Sequence, residues 1–172
     1  MFPAMSRQSP DRRSDLYATA LVVLQPFRQM KRAPPSMRDF AGQLLAAETN
    51  ADAGGVNPEP AIFRVCEKLQ TTLAAWMGRA GFQSLLWRAL AVSTSDVPWL
   101  KDVRATPDGC LEGLKKVSAG VQPDEIARAG VVVIAELIAL MATFVGEELA
   151  FDLVREAWPQ LSPENVPVLE KN

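Results

Sequence analysis

GVVVIAELIALMATFVG, residues Gly130 to Gly146, holds seventeen residues and a single charge, Glu136, near its middle. Whether this run crosses a membrane or forms the centre of a folded core decides how the rest of the chain is read. Its nine strongly apolar residues favour insertion by about 3 to 5 kcal/mol in total, against about 2.5 to 3.5 kcal/mol lost on placing a carboxylate at mid-bilayer. Insertion is therefore marginal. The length is also at the short limit for a span, and Glu147 and Glu148 follow at once. The run is expected to be a core helix with a membrane span unlikely, and its carboxylate then becomes the question. An unpartnered buried carboxylate is costly, so Glu136 demands a donor. Arg79 and Arg88, both near apolar helix faces, are the candidates.

The helix extends beyond the run on both sides. Pro123, with Asp124 and Glu125 behind it, is a good start, because proline suits the first helical position and acids suit the positive end of the helix dipole. Nothing clearly stops it before Pro159, and a helix of about 35 residues would be about 50 Å long. A compact domain bends or breaks such a helix, and Thr143 to Gly146 is the expected place. Along it, Glu125, Glu136 and Glu147 fall within about 20° of one line, with Thr143 close by. Each step is about 16 Å, too far for two carboxylates to share a metal ion or work as an acid–base pair. The line either lies in a groove between helices or faces a partner subunit or a small cationic ligand.

Upstream, Pro107-Asp108-Gly109 is a turn signal inside Asp102 to Glu112, so a small β-hairpin or tight loop is expected near 102–112. A short helical piece follows to Ser118. Before it, Ile62, Val65, Cys66, Leu69, Leu73, Trp76, Met77 and Ala80 share one face at 100° per residue, in a helix that Asn57 and Pro58 would open. Gly81 is expected to break or bend the chain into a second face of Phe82, Leu85, Leu86, Ala89 and Leu90. Trp87 points about 140° away from Phe82. That direction implies a second packing surface, within the fold or with a partner.

Ser36, followed by Asp39, is expected to cap a shorter helix with Phe40, Leu44 and Ala47 on its apolar face. It ends in the turn-rich stretch Thr49 to Pro60. Ser14 is expected to open another helix, with Leu16, Ala20, Val23, Leu24 and Phe27 at helical spacing, that is kinked at Pro26 or ends near Gln25. A run of arginines and then LYATALVVL copies the order of a signal peptide, but Asp11 and Asp15 spoil the positive region and no small-residue cleavage site follows.

The chain of 172 residues is long enough for one domain with a full core. It contains no histidine. Ser-His-Asp and Cys-His nucleophile activation, His-ligated zinc and imidazole acid–base catalysis are thereby excluded. Cys66 and Cys110 are far apart, form no CxxC pair and suit a reducing compartment as packing groups. Residues 1–38 carry a net +5 and the remainder −7. The basic arm has the charge to touch nucleic acid or anionic lipid, or to pack on its own acidic body. No phosphate loop, dinucleotide fingerprint, nucleophile elbow or EF-hand loop is present, and no cofactor is implied.

The expected architecture is all-α: an irregular bundle of four to six helices with the small hairpin near 102–112. Residues 1–14 form a mobile basic arm, 15–50 N-terminal helices, 58–160 the compact core and 161–172 an extended tail. The expected behaviour is that of a cytoplasmic, non-enzymatic interaction or regulatory module, acting through a protein partner or as a homo-oligomer. Trp87, Trp99 and Trp158 are the interface candidates, although Trp99 and Trp158 also suit plain packing, as Trp76 does. Glu136, Thr143, Glu147, Arg79 and Arg88 are the buried polar candidates. Two rival readings remain: a ligand-sensing bundle with a pocket near Glu136, and a membrane-active protein using the basic arm and the apolar helix together.

Overall fold

The computed structural model describes residues 32–51, 60–106, 108 and 111–161. The basic arm, the helix expected at Leu16 to Phe27, Cys110 and the tail from residue 162 lie outside them. The chain divides into two compact units, Met1–Arg32 and Ala33–Asn172, and the architecture below is that of the second.

Among the described residues there are five α-helices: α1 Pro35–Ala51, α2 Ala61–Ser93, α3 Leu114–Ser118, α4 Pro123–Val145 and α5 Glu147–Ala157. A 3₁₀ turn at Pro98–Asp102 leads into a two-stranded antiparallel sheet, β1 Arg104–Ala105 and β2 Leu111–Glu112. Arg104 pairs with Glu112 and Ala105 with Leu111, so the expected hairpin forms, in its smallest version. The fold is a mostly helical bundle with a small hairpin.

The centre is α4. Val132 through Ile138 are all buried, as are Ala129, Gly130, Leu140, Met141 and Ala142. Helices α1, α2 and α5 all pack on it. By length and composition α4 is apolar enough to cross a bilayer, yet 67% of its most apolar window is buried within the fold. Gly130 allows close packing: a Cβ there would come within 3.3 Å of Leu45 on α1 and 3.6 Å of Ile62 on α2. The chain breaks at Gly146, whose φ of 89° and ψ of 153° suit only glycine, and α5 turns back on the bundle.

Helix α1 begins at Pro35, one residue before the expected cap Ser36. Pro34 O accepts from the Met37 and Arg38 amides, and proline at the first helical position has no N–H to leave unsatisfied. The buried stripe is Met37, Phe40, Ala41, Leu44, Leu45 and Glu48, so the compact core starts with this helix and not near residue 58. Phe40 meets Phe151 of α5 edge-on at 5.9 Å.

Helix α2 begins at Ala61, after Pro60, and its break falls at Gly78 and not at Gly81. Gly78 has φ 73° and ψ 166°, a conformation that glycine alone adopts without strain. No residue from 74 to 81 is buried, so the bend forms an exposed corner. The apolar face therefore ends at Leu73 and resumes at Phe82. Trp76, expected to pack in the core, is 63% exposed, because the turn that carries it runs out of neighbours before the bend.

Nothing lies within 4 Å of a Cβ built at Gly78, so substitution there meets only backbone strain. Gly78→Ala is expected to cost about 1 to 3 kcal/mol in chemical denaturation, with the helical circular dichroism of the folded state unchanged.

Candidate functional site

The buried carboxylate of Glu136 is 5% exposed and accepts a hydrogen bond from the backbone N–H of Ala33 at 3.0 Å. This corrects the expectation of an arginine partner. Ala33 is followed by Pro34 and Pro35, neither of which has an N–H, so its amide is the last backbone donor before the first turn of α1. Placed against α4, that donor satisfies the carboxylate without bringing a second charge into the core. Arg79 is instead an exposed group 3.7 Å from Asp108 in the hairpin. Arg88 is half-buried, and partial desolvation lowers its guanidinium from the ordinary value.

The expected polar line along α4 does not form. Thr143 is exposed and donates to Ala139 O at 2.9 Å, as hydroxyls do on an open helix face. Glu147 is exposed in the first turn of α5, where the break at Gly146 has already changed the chain's direction. Of the five buried polar candidates, only Glu136 is buried.

A second buried carboxylate escaped the sequence reading. Glu48 is 2% exposed and lies at the end of the α1 stripe, eleven residues after Met37. One oxygen, Oε1, accepts from Lys68 Nζ at 2.5 Å and from the indole N–H of Trp158 at 2.7 Å. Arg64, one turn before Lys68 on α2, donates to the Glu48 backbone carbonyl at 2.7 Å, and its Nε lies 3.7 Å from Oε2. The Lys68 ammonium also sits 5.6 Å from the Trp158 ring centroid. Burial of Glu48 is thus compensated by two cations and one neutral donor. The signal was present, since Glu48 occupies the next position of the helical spacing 37, 40, 41, 44, 45.

The tryptophans separate clearly. Trp158, an interface candidate, is fully buried and pins the end of α5 to α1 and α2, because its indole N–H donates to the buried Glu48 carboxylate and its ring lies under the Lys68 ammonium. Trp99 is half-buried in the 3₁₀ turn. Trp87 is 64% exposed, and with Trp76 and Phe144 it makes up the large apolar side chains left exposed among the described residues.

One open cleft of about 350 Å³ lies between α1, the start of α2 and the start of α4. Leu45, Ile62, Ile126, Ala127 and Gly130 form its apolar walls, and Arg64 is its charged member. Glu136 is not among its lining residues; the nearest of them on α4, Gly130, lies almost two helical turns before it. Among the described residues no three His, Cys, Asp or Glu side chains gather to hold a metal ion.

No family model, curated protein or solved structure matches this chain.

The roles of Ala33 and Glu136 can be separated by substitution. Glu136→Gln keeps a carbonyl acceptor and is expected to cost less than about 1 kcal/mol, whereas Glu136→Leu strands the Ala33 amide and should cost about 1 to 3 kcal/mol in urea denaturation. Equal costs would remove the hydrogen bond from the account.

Proposed function

We propose that the protein is a non-enzymatic interaction module that makes protein–protein contacts through the outer face of the second half of α2, around Trp87. The single observation behind this reading is an exposed helix face without charge. At 100° per residue, Ala80, Ala91 and Ser84 lie within about 60° of Trp87. All four are exposed, and no charged residue of the helix falls in that arc. The outer face of a helix in water is ordinarily its most charged face. Here it carries an indole flanked by small residues that let another backbone approach, and tryptophan is the residue type most enriched at binding hot spots. The hydrogen-bonded position of Glu136 and the full burial of Trp158 leave neither available as a contact residue.

A second copy is the simplest occupant to test. The molar mass of the wild-type chain is expected to rise with concentration in light scattering, while Trp87→Ala remains a monomer. Because Trp87 is mostly exposed, this substitution should change stability by no more than about 0.5 kcal/mol. A wild-type mass fixed at the monomer value over the whole concentration range would exclude self-association as the use of this face.

A further inference from the structure

We draw no further inference here: the strongest candidate, the aliphatic cleft between α1, α2 and α4, carries nothing, because its charged lining residue, Arg64, is already committed to Glu48 and nothing in the structure shows what covers the apolar walls.

Discussion

A helix that is apolar around most of its circumference has to be surrounded, and the need to cover α4 organises everything else in this fold. Seven consecutive residues, Val132 to Ile138, are buried, so no side of the helix at that level is left to solvent. Helices α1, α2 and α5 each supply one apolar stripe to it. Each buried valine, leucine or isoleucine contributes about 1.5 to 3 kcal/mol relative to exposure. Coverage of α4 therefore outweighs any single polar contact in the molecule.

The two buried carboxylates are accommodated by opposite means. Glu136, deep on α4, receives a neutral backbone N–H from Ala33, which suits a place where a second charge would itself have to be desolvated. Glu48, near the edge, draws on Lys68 and Arg64, whose side chains are partly exposed and keep some hydration. Its further bond to the Trp158 indole joins the end of α5 to the α1–α2 pair. Each carboxylate joins chain segments far apart in sequence: Ala33 is 103 residues from Glu136, and Trp158 is 110 from Glu48.

Two glycines set the corners. Gly146 folds α5 back over the core, and Gly78 divides α2 into halves with different surroundings. The first half carries Ile62 and Arg64 at the apolar cleft; the second carries Trp87 and its uncharged outer face. The bend between them has no buried residue from 74 to 81.

Periodicity determined the helical class, the place of α4 in the core and the turn of Trp87 away from the Phe82 face; the length of the last run placed its break within Thr143 to Gly146, and Pro107-Asp108-Gly109 marked the hairpin within Asp102 to Glu112. These are local properties, because side-chain spacing and backbone freedom act over a few residues. Tertiary structure alone decided the rest. An apolar stripe shows which face is buried but not how far the neighbouring helix extends, so Trp76 read as core although its neighbours end at Leu73. A buried acid calls for a donor without naming it, and a backbone amide carries no mark in the sequence, so Ala33 could not be foreseen as the partner of Glu136. Glu48 was half-legible: its helical position was readable, while Lys68, Arg64 and Trp158 converge on it only because α1, α2 and α5 meet around α4.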